Sequence, residues 1–545
     1  MSFFKLLFSA ALIALAITLS LGGFTRPEVR GTTSANFSAL RVLKDIKEIS
    51  RVPHSIEHPA EREHVREYLA GRLAQMGFKP EIHAYDSIKS RAGGFISIAN
   101  IYAQMDPPGG KTSSYILFVA HLDSRFKTVV KGEVNYSLGA ADDGYGLGVI
   151  LECTKLALSY RSAWKQGVKI LFTDAEENRL DGMKKAASED AYIFNNVGLV
   201  INVEARGVKG PALLFETSPG NDRLSGLYKL AEYPYSYSLT GFVYRLLPND
   251  TDFSVVKKDL AGFNFSVIDN LDFYHTNRDK YENISAGSVQ HYGSQIEPMV
   301  HEYLTNPLYK NSSYFKGNSD NVFFTAPLFG LIRFSKNQYL IFNIVVFLLA
   351  YLIMRIYMVK GKCGASQIMK AIAINILSLV SFSAIALGIS YFLAYLNGTK
   401  YSLLKMSQIE YDGEIIVLFI ILMAFVNYVV MRKCSKKIRR EEFIFGSLIL
   451  NLILSGVLYA YSGENFFLTI PAFLALISLF LNVNGKFAFA NLVMAVLIIL
   501  VTAPFVYTLA VALTVGSLAI YSFIAALSLN LILPLADSYS RKVVL

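Results

Sequence analysis

Residues 115–123 read Tyr-Ile-Leu-Phe-Val-Ala-His-Leu-Asp, an apolar run that ends in polar side chains. Residues 168–177 repeat this pattern as Val-Lys-Ile-Leu-Phe-Thr-Asp-Ala-Glu-Glu. Each run is rich in β-branched and aromatic residues and predicts a buried strand. His121 and the pair Glu176 and Glu177 would then lie just past the carboxyl ends of two strands. Ligands bind at that edge in open α/β sheets, so this edge is the predicted functional site.

Other helix-like and strand-like segments alternate around these two runs. Residues 61–77 carry apolar side chains at helical spacing and end in a glycine, which predicts an amphipathic helix. A further helix is predicted at about residues 146–160, and a strand at 199–204 that ends in Glu204. Strands that alternate with helices predict an α/β domain built on one sheet.

The composition is too apolar for a single soluble domain. The chain has 545 residues, of which 53% are hydrophobic and 17% are charged, and its formal net charge is +10. The apolar excess falls in residues 1–25 and 338–535. Because the basic residues cluster beside these apolar stretches, where they set membrane orientation, the positive charge does not indicate a nucleic-acid partner. The three cysteines do not identify the cellular compartment.

The second half of the chain has the pattern of a membrane domain. Apolar stretches of about 20 residues, each suited to a membrane-spanning helix, recur after residue 337. They cover residues 338–358, 367–395, 413–431, 441–461, 466–482, 487–507 and 511–533. Six of them contain one asparagine each, namely Asn343, Asn375, Asn427, Asn451, Asn491 and Asn530. These could line a path, but hydrogen bonds between helices are the favoured interpretation. The loops near Lys360 and at residues 432–440 are basic, so the positive-inside rule predicts that they are cytoplasmic.

These features divide the chain into four predicted parts. Residues 1–25 are predicted to form a transmembrane signal-anchor, since a cleaved signal would have a shorter apolar core and a clear cleavage site. Residues 26–337 would form an extracytoplasmic globular domain with a core at about 40–305, and residues 338–535 a transmembrane domain of about seven helices. Residues 536–545 would be a cytoplasmic tail. The globular domain would face the periplasm, or the lumen of the endoplasmic reticulum or vacuole in a eukaryote.

The globular domain contains five candidate metal ligands, His121, Asp142, Glu177, Glu204 and His275. Imidazole and carboxylate donors of this kind suit Zn²⁺. Asp142 lies in the tight turn Gly-Ala-Ala-Asp-Asp-Gly and is predicted to bridge two zinc ions. One ion would take His121, Asp142 and Glu177, and the other would take Asp142, Glu204 and His275. Positions left open for a shared water are typical of a catalytic site.

Glu176 precedes a predicted ligand and is assigned a different role. If Glu176 were also a ligand, no group would remain to handle protons. As a carboxylate beside the metal ions, it can take a proton from the attacking water and pass it to the leaving amine. Each of these acidic pairs alone would be an ordinary turn or helix cap, and only their joint pattern indicates a catalytic site.

The order of these motifs resembles the co-catalytic dizinc aminopeptidase family, which also contains glutamate carboxypeptidases and glutaminyl cyclases. The motifs are His-x-Asp-Ser from His121, Gly-Ala-x-Asp-Asp-Gly-x-Gly from Gly139, Ala-Glu-Glu-x-x-Leu-x-Gly from Ala175 and Tyr-His-Thr-x-x-Asp from Tyr274. The resemblance covers about residues 40–305 and implies a mixed sheet sandwiched by helices, with the ligand roles given above. It also implies that Asp123 buttresses His121 and that Asp143 helps to shape the turn.

Further matches are to a membrane-embedded branch that is similar to vacuolar membrane proteases and endoplasmic-reticulum metallopeptidases. They are Pro53-His, Val65-Arg-Glu-Tyr-Leu, Phe215-Glu-Thr-Ser-Pro-Gly-Asn and Pro248-Asn-Asp-Thr-Asp-Phe. The sequence departs from many soluble members at Glu204, where they have Asp. The longer side chain changes the reach of this ligand by one methylene.

The predicted function is a membrane-bound zinc exopeptidase that acts through a metal-activated water, with Glu176 and Asp123 as catalytic residues. The resemblance favours an aminopeptidase, which would remove N-terminal residues from peptides, although the motifs alone do not separate it from a carboxypeptidase. One alternative is a glutaminyl-cyclase-like acyl-transfer enzyme. Another is a membrane transporter or receptor with a peptidase-like outer domain. Peptide substrates and membrane lipid are the predicted partners, and the oligomeric state is left open.

Overall fold

The structure of the chain is a computed structural model that describes residues 2–20, 27–130, 132–247, 249–404, 406, 409, 411–484 and 487–540. Its contacts divide it into an α/β unit, Thr25–Phe323, and a helical unit made of Met1–Phe24 and Phe324–Leu545. Pro248, the first residue of one predicted motif, lies outside the described residues, as do residues 541–545 of the predicted tail.

In the α/β unit, the strands alternate with helices along the chain, as the sequence predicts. The strands are β1 (Glu81–Lys89), β2 (Phe95–Met105), β3 (Tyr115–His121), β4 (Thr128–Val130), β5 (Glu133–Asn135), β6 (Gly167–Thr173), β7 (Val197–Ala205), β8 (Leu213–Thr217) and β9 (Gly262–Val267). Helix α1 (Ser2–Thr18) belongs to the helical unit, and the α/β unit then contains α2 (Ala39–Ile49), α3 (Pro59–Gln75), α4 (Gly144–Ser159), α5 (Glu176–Arg179), α6 (Asp181–Glu189), α7 (Leu224–Tyr228), α8 (Ser238–Tyr244), α9 (Phe253–Val256) and α10 (Ala286–Thr305).

The main sheet is mixed and has the strand order β1-β2-β6-β3-β7-β9-β8. Strands β6, β3, β7 and β9 run parallel to their neighbours in this series. Strands β1, β2 and β8 pair antiparallel at the two sides. Every residue of β3, β6 and β7 is buried, which is expected of parallel strands that are covered on both faces.

Helices cover both faces of this sheet. On one face, Leu117 and Val119 of β3 pack in a cluster with Met183 and Ala186 of α6. Helices α2, α4 and α10 pack against one another, and α4 and α10 contact β3. The predicted mixed sheet between helices is therefore present, and the carboxyl ends of β3, β6 and β7 meet at one edge.

The helical unit contains the apolar stretches that the sequence assigns to a membrane. A hairpin of β10 (Val322–Ala326) and β11 (Gly330–Phe334) precedes its long helices. These are α11 (Lys336–Val359), α12 (Ala365–Leu396), α13 (Asp412–Cys434), α14 (Arg440–Ser462), α15 (Phe466–Leu481), α16 (Ala488–Leu513) and α17 (Leu518–Ser540). Of the helices in the described ranges, six are long and apolar enough to cross a membrane, so the chain is a membrane protein.

One predicted span forms a shorter helix than the others. Helix α15 covers the stretch predicted at residues 466–482, but it has only 16 residues. At about 1.5 Å per residue it extends about 24 Å, which is shorter than the hydrocarbon core of about 30 Å. Helix α1 is also short, with 17 residues, and residues 21–25 of the predicted anchor lie outside the described residues.

Asparagine side chains join several of these helices. Asn375 of α12 donates to Ser447 of α14 at 2.9 Å. Asn427 of α13 accepts from Ser378 of α12 at 2.6 Å. Asn343 of α11 accepts from Thr469 of α15 at 3.2 Å, and Asn491 of α16 accepts from Ser478 of α15. These contacts confirm the predicted hydrogen bonds between helices for four of the six asparagines.

Candidate metal centre

The five predicted donors come together at the edge of the sheet where the parallel strands end. His121 is the last residue of β3 and pairs in register with Thr173, the last residue of β6. Glu177 follows β6 in the first turn of α5. Glu204 lies near the end of β7. Asp142 and His275 reach the same edge from loops.

One group of donors forms around His121. Its Nε2 lies 3.2 Å from Oδ1 of Asp142 and 3.6 Å from Oε2 of Glu204. The sheet explains why Glu204 is the partner. Val119 of β3 pairs with Asn202 of β7, which brings His121 opposite Glu204 two residues further along both strands.

A second group forms around His275. Its Nε2 lies 2.8 Å from Oε1 of Glu177 and 3.3 Å from Oδ2 of Asp142. The predicted pairing of His121 with Glu177 and of His275 with Glu204 is therefore wrong. Strand β3 lies between β6 and β7, and this order, which the sequence does not show, assigns Glu204 to His121 and Glu177 to His275. Asp142 contacts both groups, as a bridging carboxylate would.

These donors fit metal ions. Ligand atoms lie within 4.8 Å of one another in two groups, His121 with Asp143 and Glu204, and Asp142 with Glu177 and His275. Oδ2 of Asp142, Oε1 of Glu177 and Nε2 of His275 are buried without a hydrogen-bond partner among the described residues. A buried unpaired polar atom costs about 1–3 kcal/mol. Donors that converge in this way without hydrogen bonding to one another suit a shared cation.

The pKa shifts of the carboxyl groups also indicate that the site suits a cation. Burial raises the pKa of the Glu204 carboxyl to about 8. Burial also opposes ionisation of Glu177, but His275 and Arg125 lower the pKa of its carboxyl below the ordinary value. A divalent cation beside these groups would favour their charged forms, as a bound metal does for its ligands.

Asp143 has the turn-shaping role that the resemblance implies. It is the N-cap of α4, and its Oδ1 accepts from the backbone N–H of Gly146 at 3.0 Å. Its Oδ2 accepts from the backbone N–H of His121 at 3.2 Å. Although its carboxylate lies close enough to join the His121 group, both oxygens already hold the backbone.

Asp123 holds the two neighbouring segments rather than contacting the space between the donors. Its backbone carbonyl accepts from Nδ1 of His121 at 2.8 Å. Its carboxylate oxygens accept from the backbone N–H groups of Glu176 and Glu177 at 3.0 and 3.3 Å. Oδ1 of the same carboxylate lies 3.5 Å from Nδ1 of His121. The predicted buttress of His121 is thus made by the carbonyl and the nearby carboxylate, which also positions the start of α5.

Glu176 lies outside both donor groups. It is half-buried and follows Ala175, whose φ of 56° is left-handed. Strained backbone of this kind often occurs at functional sites. Burial raises the pKa of the Glu176 carboxyl well above its ordinary value, which is the property of a group that takes and returns a proton.

Two supporting residues were missed in the sequence. Nη1 of Arg125 donates to Oε2 of Glu177 at 2.8 Å and to its backbone carbonyl at 3.2 Å. The carboxylate of Asp279 accepts from the backbone N–H groups of Ala141 and Asp142 at 2.7 and 3.2 Å. Asp279 ends the Tyr-His-Thr-x-x-Asp motif, which was the available signal, whereas a lone arginine after His-x-Asp-Ser gives none.

Comparison with known proteins agrees with this geometry. Residues 100–300, which contain all five donors, match the sequence model of Peptidase family M28. Over 236 residues the chain is 29% identical to endoplasmic reticulum metallopeptidase 1 of Mus musculus, a match that covers 42% of this chain and 25% of that protein. Over 331 residues it is 27% identical to a vacuolar membrane protease of Schizosaccharomyces japonicus, covering 57% and 36% of the two chains.

The matches therefore span between a quarter and about a third of the length of these relatives. Among solved structures, a Zn-dependent exopeptidase from Parabacteroides distasonis aligns with a TM-score of 0.40 and 17% identity, over 50% of this chain and 99% of that chain. A glutaminyl cyclase from Porphyromonas gingivalis aligns with a TM-score of 0.41 and 18% identity, over 49% and 99%. From the family match and its relatives we conclude that the chain carries a domain of peptidase family M28.

Proposed function

We propose that the chain is a membrane-bound, zinc-dependent exopeptidase of the aminopeptidase type, with two zinc ions in its site. The observation that carries the proposal is the pair of donor groups, around His121 and around His275, that meet at Asp142 with Glu176 outside both. The names of the relatives, a metallopeptidase and a membrane protease, agree with it. Mixed histidine and carboxylate donors favour zinc.

The site residues would have three roles, which are metal binding, proton transfer and positioning. His121, Asp142 and Glu204 would hold one zinc ion, and Asp142, Glu177 and His275 the other. Zinc supplies Lewis-acid chemistry, since it polarises a carbonyl group and lowers the pKa of a coordinated water. The Glu176 carboxylate would accept a proton during attack on the peptide carbonyl and give it to the leaving amine. Asp123 would hold Glu176 in place through its backbone N–H.

We also propose that the α/β unit faces the extracytoplasmic side. The support is the charge of the loops. Residues 432–440, which connect α13 and α14, contain six basic side chains at one end of the helical unit. By the positive-inside rule this end is cytoplasmic. The predicted parts of the chain at residues 1–25, 26–337, 338–535 and 536–545 are proposed on the same grounds.

Mass spectrometry of peptide products tests the activity. We expect zinc-loaded protein to release the N-terminal residue of an unblocked peptide and to leave its N-acetylated counterpart intact. A peptide with N-terminal glutamine is included, because a cyclase would form pyroglutamate without loss of a residue. Release from the C-terminus, or cyclisation alone, would contradict the aminopeptidase proposal.

A further inference from the structure

A small cavity lies between four helices of the helical unit. Asn375 and Ser378 of α12, Asn427 of α13, Phe443 of α14 and Asn530 of α17 are among the residues that line it. Asn427 lies seven residues before the end of α13 at Cys434, or about 10 Å along the helix. The cavity is therefore close to the end of the bundle that carries residues 432–440, which we call the basic end. Its volume of about 20 Å³ admits one oxygen-sized group.

The cavity contains two hydrogen-bond donors that lack acceptors. Nδ2 of Asn427 and Nδ2 of Asn530 are buried and have no hydrogen-bond partner in the part of the chain that the structure describes. The oxygen of Asn427 is already used, since it accepts from Ser378 at 2.6 Å. Unpaired donors are costly inside a membrane, where water does not replace a missing partner. The cavity thus requires an acceptor oxygen and offers room for one.

Positive charge lies just beyond the cavity. On α12, Lys370 precedes the cavity residue Ile374 by one turn, on the same face of the helix. On α13, Lys433 follows the cavity residue Val430 by three residues, again on the same face. Both lysines are exposed.

Three acids also lie at this end, and two of them, Glu441 and Glu442, are in the first turn of α14. Asp537 of α17 is 3.2 Å from Arg432 and 4.0 Å from Arg440. Two arginines therefore compensate its single charge. Glu442 accepts from the backbone N–H groups of Gly364 and Arg439. Lys370 and the six basic residues at 432–440 outnumber the three acids, which leaves a net positive charge at this end.

We propose that the cavity and the lysines above it form a binding site for an anionic phospholipid. The lipid phosphate lies against Lys370 and Lys433, and an ester carbonyl oxygen enters the cavity and accepts from Asn427 and Asn530. The lining of the cavity sets this orientation, because it offers amide and apolar side chains but no basic group, so the charged phosphate stays at the lysines. A free phosphate ion would satisfy the lysines and leave both amides unpaired. Basic pockets between membrane helices are a known type of anionic-lipid site.

Native mass spectrometry of the full chain in a neutral detergent tests the site, with phosphatidylglycerol, phosphatidylcholine or inorganic phosphate added. We expect the protein to retain phosphatidylglycerol in preference to phosphatidylcholine. Lys370→Gln/Lys433→Gln should weaken this binding by about 20–30-fold, since each charge near a membrane surface contributes about fivefold. Asn427→Leu/Asn530→Leu should weaken phosphatidylglycerol binding by about tenfold, because two hydrogen bonds to the lipid carbonyl are lost. Each is expected to contribute as much as a hydrogen bond between membrane helices.

The matched control is Lys336→Gln/Lys400→Gln, which should retain phosphatidylglycerol like the wild type. Both lysines are exposed and lie away from the basic end, Lys336 at the start of α11 and Lys400 four residues after the end of α12. Gel filtration and circular dichroism establish that each variant is folded. Equal retention of the two lipids by the wild type would overturn the proposal, and so would unchanged retention in the lysine or asparagine variants. Displacement by inorganic phosphate would show an anion site without the carbonyl contact and would also overturn it. Lipid retention is measured without hydrolysis, so the result is independent of the proposed peptidase activity.

Discussion

Arg125 donates a hydrogen bond of 2.8 Å from Nη1 to Oε2 of Glu177. This contact occupies one carboxylate oxygen of Glu177 and leaves Oε1 directed at Nε2 of His275, 2.8 Å away. The arginine therefore sets which oxygen is offered to a metal ion. It also balances the charge of a carboxylate that is buried at 6% exposure.

The first prediction concerns this contact. Arg125→Met should weaken zinc binding by about 10–100-fold, because residues that orient metal ligands typically contribute that much. Arg125→Lys should recover part of the loss. Competition with a chelator measures the affinity. The control is Arg179→Met, which removes an exposed arginine that donates to the carbonyl of Lys89. Unchanged affinity in Arg125→Met would show that the contact does not position Glu177.

The second prediction separates the neighbours Glu176 and Glu177. Glu176→Gln keeps the size of the side chain but removes its basic carboxylate, so turnover should fall by about 10²–10⁴-fold while zinc content stays near that of the wild type. Glu177→Gln should lose zinc together with activity, and excess zinc should restore part of both. Zinc analysis and initial rates of peptide hydrolysis measure the two effects. Loss of zinc in Glu176→Gln with retention in Glu177→Gln would reverse the assignment.

The third prediction tests how the donors are grouped. His121→Ala/Glu204→Ala removes donors from one group, so about one zinc ion per chain should remain. Glu177→Ala/His275→Ala should likewise retain about one. His121→Ala/Glu177→Ala removes a donor from each group and should lose most of both ions. Elemental analysis after dialysis gives the stoichiometry. If the last variant kept one full zinc ion, the grouping seen in the structure would be contradicted.

The fourth prediction concerns a buried lysine away from the metal centre. Nζ of Lys169 donates to the carbonyls of Ile193 and Asn195, both at 2.7 Å, and burial lowers the pKa of Lys169 to about 8. The ordinary value is about 10.4, so the unfolded chain binds more protons than the folded chain between these two pH values. The contribution of Lys169 to the free energy of unfolding should therefore rise from pH 8 to pH 10.4, by about 1–3 kcal/mol, and stay constant below pH 8.

Fluorescence of Trp164 during unfolding in urea measures this effect. Trp164 is the single tryptophan of the sequence and is buried in the same α/β unit at 3% exposure, so its signal reports on this unit. Lys169→Met should lack the alkaline rise that the wild type shows. Lys165→Met, at an exposed neighbouring position, should keep it. An identical pH profile in wild type and Lys169→Met would rule out the contribution of Lys169.

Much of the fold was predictable from local patterns. The apolar runs that end at His121 and before Glu176 form β3 and β6, because strands buried on both faces leave continuous apolar sequence. The same reasoning identified the long apolar helices, since about 20 residues are needed to cross a membrane. Helix α15 is shorter than the other predicted spans, because its apolar stretch is only 17 residues long and ends at the polar residues Asn465 and Asn482.

The sequence by itself determined the donor residues of the candidate site and their position after the strands, since residue type and the edge of the sheet follow from local chemistry. Only the tertiary structure decided how these donors are grouped. His121 meets Glu204 because β3 and β7 are neighbours in register, and Glu177 meets His275 because a distant loop returns to the side of β6. The contacts of Arg125 and Asp279 are likewise made across long stretches of chain. The order of the strands and the path of the loop that carries His275 depend on packing of the whole unit. No local pattern of residues encodes them.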